Sequence, residues 1–137
     1  MSIYRAKAGK IKGTDFHEVW KEAYGLYIKI KKQSKRKPYI KSEYFNKEKV
    51  FLSLFWTHLF GKENWKDRMR RLKYYATAIE LIRYNKFHPT SRANPNRPDE
   101  ILYRFTGLTK EEDVFYVQIK ENKHSRRKDM ISIFPKK

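Results

Sequence analysis

The chain has 137 residues, with 33 Lys and Arg against 15 Asp and Glu for a formal net charge of +18, and it is 39% hydrophobic and 16% aromatic. That length suits one domain, and that apolar share excludes plain disorder; the absence of cysteine excludes a disulfide framework, a thiolate metal site and a cysteine nucleophile. The positive excess repels itself and concentrates polyanions, so nucleic acid leads as a partner class, ahead of an acidic protein or a surface kept basic for solubility.

Residues 1–13 are basic, hold Gly9 and Gly13 and lack periodicity, so a loose arm is expected there. Asp15 followed by Glu18 reads as a capping box, and Phe16, Trp20, Tyr24 and Tyr27 recur at helical spacing, which predicts a helix over about 15–32. The run 29–41, with Lys35, Arg36, Lys37 and Pro38 and no acidic residue, reads as a loop or frayed helix end. Asn46 is the expected N-cap of a second helix, 47–60, apolar around most of its circumference and therefore central. Gly61 ends it, and a third helix is expected over about 62–84, with Trp65, Met69, Leu72, Ala76, Ile79 and Ile82 as its inner seam.

Three prolines between Phe87 and Pro98 predict a surface connection, long enough to be functional or mobile. Beyond it the period falls to two, and 100–106, 114–120 and 130–134 read as strands. Phe115, Val117 and Ile119 should face the core with Ile131 and Ile133, leaving Tyr116, Gln118, Lys120, Ser132 and Arg104 on the other face. The expected architecture is α+β, with N-terminal helices packed on one face of a small C-terminal antiparallel sheet. It forms a single domain, 1–137, made of the arm 1–13, a helical part 14–84, a Pro-rich loop 85–98 and the sheet 99–137.

No stretch approaches a signal peptide or the ~20 apolar residues that span a bilayer, so a cytoplasmic protein without a membrane partner is expected. His17, His58, His88 and His124 fall in different elements with no ligand spacing, and no phosphate-binding glycine motif occurs, so neither metal nor cofactor is expected. What remains is metal-free chemistry on a polyanion. RNA cleavage of that kind needs a base near the 2′-hydroxyl, an acid near the leaving oxygen and cations around phosphorus. Arg104 and Lys120 suit the phosphate charge, Gln118 and Ser132 suit hydrogen bonding, and Tyr116 suits base stacking, although an exposed strand face is polar in any protein. His88 and His124, each in a loop with an arginine nearby (Arg92, Arg126), are the candidates for moving protons, whereas His58 on its apolar helix reads as a core residue. The turn carrying Arg126 and Arg127 reads equally as a solvated tip that steers RNA. Arg68 and Arg71 share a helical face, and phosphate binding and ordinary ion pairing with Asp67 both stay open.

Two blocks are familiar as a set: 49–59 with 67–75, and Pro98–Phe105, Val114–Glu121 and Ile131–Pro135. Together they resemble uncharacterised bacterial mobile-element proteins, and the second block resembles phage-associated barnase–EndoU–colicin–RelE-like (BECR) nuclease domains. Those domains have an arginine-bearing helix, a Pro-Asp-Glu-Ile entry to a strand, an x-Val-x-Val strand, and a last strand with a hydroxyl residue before an aromatic and Pro. The resemblance covers about 38–135 and implies that Arg71 or Arg68, Arg104, Lys120 and Ser132 line an RNA site. The expected function is a metal-independent endoribonuclease, with a role as a toxin held by an acidic antitoxin left open. The alternatives are a non-catalytic RNA- or DNA-binding protein and an interaction protein that docks an acidic chain.

Overall fold

The computed structural model describes residues 3–61 and 64–136. It is α+β, with the helices in the N-terminal half and most strands in the C-terminal half. The elements are β1 (Tyr4–Arg5), α1 (Phe16–Gln33), β2 (Tyr39–Ser42), β3 (Glu48–Phe51), α2 (Ser53–Phe60), α3 (Trp65–Leu72), α4 (Tyr75–Tyr84), β4 (Thr90–Asn94), β5 (Arg97–Leu108), β6 (Val114–Asn122) and β7 (Lys128–Pro135). The strands form one curled sheet in the order β1-β5-β6-β7-β3-β2, with β4 also paired to β5. The three strands expected from period-two alternation form its antiparallel centre, β5-β6-β7. Two parallel pairings, β1 with β5 and β3 with β7, make the sheet mixed.

Helix α1 starts as its capping box predicts: Asp15 Oδ1 accepts the Glu18 N–H at 3.0 Å. The second helix is shorter than expected. Residues 48–51 are strand, and Asn46 is no N-cap but one of two left-handed turn residues, with φ 57° at Asn46 and 65° at Lys47, that fold β3 back on β2. The third helix is two. After Leu72 the chain turns through Lys73 and Tyr74, which frees the Lys73 carbonyl to accept the Ile11 N–H at 2.8 Å and buries Tyr74 against Phe115.

The expected loose arm is docked: Tyr4–Arg5 adds a strand, and Glu80 accepts the Lys7 and Ala8 N–H groups. The expected Pro-rich loop contains strand β4. Its prolines are compatible with a hairpin because Pro95 stands in the turn between Asn94 and Arg97, and Pro98 lies ahead of the first β6 partner, Glu100.

The core lies between the inner face of the sheet (Phe105, Phe115, Val117, Ile119, Met130, Ile133) and the helices, with Phe55, Trp56, Leu59, Tyr75, Ala78 and Ile82 among the buried residues. At Gly107 a Cβ would come within 2.7 Å of the Phe115 ring and 2.8 Å of Leu81 Cδ1, so only glycine lets α4 approach the sheet this closely. One face assignment differs from expectation. The register between β6 and β7 slips after Gln118, so Met130 takes the buried place opposite Ile119 and Ile131 is left half-buried in a β-bulge.

Candidate functional site

The outer face of the sheet is ordered in cross-strand rows. Thr90, Arg104, Gln118 and Ser132 stand directly opposite one another on β4, β5, β6 and β7. Directly paired residues share a face, and strands lie about 4.8 Å apart, so the row spans about 14 Å. The adjacent row holds Thr106, Tyr116 and Phe134, and the row on the other side holds Arg92, Leu102, Lys120 and Asp129.

At the Ser132 end the sheet opens. β3 pairs with β7 only at Lys128 and Asp129, then leaves through Leu52 into α2, so among the described residues no strand lies beside the outer edge of β7 beyond Asp129. The Ile131 and Ile133 carbonyls on that edge are met by side chains instead: His58 Nδ1 lies 3.3 Å from Ile131 O, and Arg71 Nη1 donates to Ile133 O at 3.2 Å and to Ser132 Oγ at 3.0 Å. A carbonyl only accepts, so Nδ1 is the donor in this contact, and in the neutral ring the lone pair is then on Nε2. Arg71 is fixed from behind by Asp67 Oδ2, 2.9 Å from Nε, and Asp67 also receives Arg70 at 2.9 Å. Burial raises the Asp67 pKa, but these two guanidinium partners outweigh it and hold the carboxyl below the usual aspartate range.

His58, Arg71, Gln118 and Ser132, with Thr57, Gly61 and Ile131, line a cleft of about 470 Å³. Across Gln118, Arg104 is exposed and lies over the Phe134 and Tyr116 rings, 5.3 and 5.7 Å from their centroids. No carboxylate partners Arg104 among the described residues, so its charge faces outward. Lys120, one row away, is partly answered by Glu100, whose Oε2 is 3.3 Å from Nζ while Oε1 accepts from Asn94.

The other sequence candidates lie elsewhere. His88 contacts the Tyr44 hydroxyl at 3.3 Å, and Tyr44 packs on Phe105, so this histidine belongs to the opposite, inner side of the sheet. Arg126 is on that side too, donating to Glu121 at 2.8 Å. His124 sits in the turn after β6; Gln118 to Asn122 alone is about 13 Å of strand, which takes it away from the cleft. Arg127 pairs with Asp129 and covers the Phe51 ring. Lys35, Arg36 and Lys37 lie between α1 and β2, the edge strand two places beyond β7. Arg68 is half-buried on α3, one turn before Arg71.

Sequence reasoning set His58 aside as a core residue, and this is corrected: it is exposed and lines the cleft. The signal lay in where α2 begins. With Ser53 as its first residue, Phe55, Trp56 and Leu59 form the buried stripe and Thr57 and His58 fall outside it. Among the described residues no helix is long and apolar enough to cross a membrane. No protein-family model matches the chain, and no curated protein or solved structure was found to match it.

Proposed function

We propose that the chain is a metal-independent endoribonuclease of the BECR type, acting at the Ser132 end of the outer sheet face. The observation that carries the reading is the meeting of an imidazole, a guanidinium, a hydroxyl and an amide in one cleft: His58, Arg71, Ser132 and Gln118. A scissile phosphate seated on the Gln118–Ser132 seam lies between Arg71 and Arg104, which supply positive charge for the phosphorane, with Lys120 adding to the field. His58 Nε2 takes the 2′-hydroxyl proton as that oxygen attacks phosphorus; the bond to the 5′-oxygen breaks, that oxygen takes a proton from solvent water and leaves as the 5′-hydroxyl, and a 2′,3′-cyclic phosphate remains. This moves the proton-transfer role from His88 and His124, which lie away from the cleft, to His58. Tyr116 and Phe134, with rings 5.2 Å apart, form a surface for a base to stack on. A chain of net charge +18 that cuts RNA suits a toxin role in the cytoplasm, restrained by an acidic inhibitor that covers this face.

The test is purified protein with RNA in EDTA beside Arg104→Ala and Lys120→Ala. Cleavage that falls in the variants is expected; no cleavage, or cleavage unchanged in both, defeats the reading. One observation favours the second reading, a non-catalytic RNA- or DNA-binding protein: His58 and Arg71 already cap the edge carbonyls of β7. That reading requires salt-dependent binding without product.

A further inference from the structure

We infer that β4 builds a second phosphate subsite beside the cleft, so that the substrate is a single-stranded oligonucleotide engaged at more than one phosphodiester. The inference rests on the RNA-cleft reading and extends it along the row. Thr90, Ser91, Arg92, Arg104 and Gln118 line a separate hollow of about 210 Å³, and no carboxylate is among the described residues that line it. Gln118 also lines the larger cleft, so it is the ridge between the two. A group crossing Gln118 passes from one to the other.

Arg92 has the properties a phosphate ligand needs. It is exposed, stands two residues from Thr90 and therefore on the same face of β4, and has no ion-pair or hydrogen-bond partner for its guanidinium among the described residues. With Arg104 it sets two uncompensated guanidinium groups around one hollow, and the Thr90 hydroxyl, opposite Arg104, adds a donor. Of the described carboxylates on this face, Glu100 is taken by Lys120 and Asn94, and Asp129 by Arg127. Ser132 and Thr90 are three strand spacings apart, about 14 Å. One phosphate cannot touch both ends of such a row; a run of nucleotides can. The narrow row, flanked by Tyr116 and Phe134, suits an unstacked single strand.

The experiment compares wild type with Arg92→Ala, and with Arg92→Lys as a charge-keeping control, in two measurements. The first is the ratio of kcat/KM for a mixed-sequence RNA hexamer to that for a dinucleoside monophosphate, which has no second phosphodiester. Arg92→Ala should lower this ratio about tenfold, and Arg92→Lys should recover part of it. The second is binding of a 2′-O-methyl hexamer, which cannot be cut, as a function of salt. Loss of one phosphate contact on a single strand should reduce the slope of log K against log salt by about 0.7. An unchanged slope in Arg92→Ala overturns the subsite. If wild type cuts neither substrate, the nuclease reading falls while the slope still decides whether β4 holds a phosphate.

Discussion

Arg71 donates to Ser132 at 3.0 Å, tying the last turn of α3 to the last strand across 61 positions of sequence. The same guanidinium is held by Asp67 and caps Ile133 O, so Nε and Nη1 are committed to protein and the charge is pinned at the mouth of the cleft. A planar fork held at three points cannot be reproduced by an ammonium.

Arg71→Lys should therefore keep the net charge and lose the geometry. Removal of a pre-placed donor from a developing oxyanion ordinarily costs about 10²–10³ in rate. The expected result is a fall of kcat of that order, with the Tm moving little because the affected groups are partly exposed. Steady-state cleavage and thermal melts on the same preparation check this, and an unchanged kcat would separate Arg71 from the chemistry.

His58→Gln should lower kcat by about 10²–10⁴, the range expected for a lost general base. His88→Gln and His124→Gln should not, since one lies against Tyr44 on the inner side and the other lies in the turn beyond β6. The amide introduced by His58→Gln can still donate to Ile131 O, so the edge of β7 stays capped. Three single variants assayed on one RNA decide the matter. A larger loss at His88 than at His58 would relocate the site to the other side of the sheet.

The contrast among these histidines explains how far the sequence could be read. Alternation over 114–120 sorts inner from outer residues because every strand obeys a period of two, and it places Arg104, Gln118 and Ser132 on one face. Alternation is blind to a bulge: Ile131 looks like a core residue until the register with β6 slips and Met130 replaces it. The helical residues failed for a different reason. Val50 and Phe51 fit an apolar helix as well as a short strand, and only the pairings with β2 and β7, which are long-range, decide between them. Moving the start of α2 to Ser53 turns His58 outward. Likewise the three prolines around β4 suggest a loop until the partner strand is known.

Acid should loosen the Arg71 anchor. Burial alone would raise the Asp67 pKa, yet Arg71 and Arg70 outweigh it and hold the carboxyl low, so the folded state binds its proton less readily than the unfolded chain does. A depressed pKa gives stability that is present above the unfolded value and is lost as pH falls through the folded one. Asp67 and Arg70 are partly exposed, so the contribution should be no more than about 1 kcal/mol. Urea denaturation from about pH 6 down to about pH 2 should show a shallower loss of stability in Asp67→Asn than in wild type. Parallel curves would remove Asp67 from the acid response.

Lys128 should matter for folding and not for the site. Its ammonium, 2% exposed, reaches Glu48 at 2.6 Å and the Arg126 carbonyl at 2.9 Å and lies over the Phe45 ring, on the inner side of the sheet. Beside it Glu121, also buried, accepts from Tyr103 at 2.8 Å; burial and that carboxylate push the Tyr103 phenol up to about 12. Lys128→Met removes the cation and leaves Glu121 with Arg126, whose side chain is mostly exposed, as its remaining cation. Breaking one side of a fully buried ion pair ordinarily costs about 3–5 kcal/mol; here Glu48 is half-exposed and Glu121 keeps Arg126 and Tyr103, so the loss should be smaller, about 1–3 kcal/mol. Chemical denaturation should show a loss of that order. Specific cleavage per folded molecule should stay within about twofold, because the Gln118–Ser132 seam lies on the opposite face of the sheet. A stability loss below about 1 kcal/mol would mean that Glu121 is satisfied by Tyr103 and Arg126 alone.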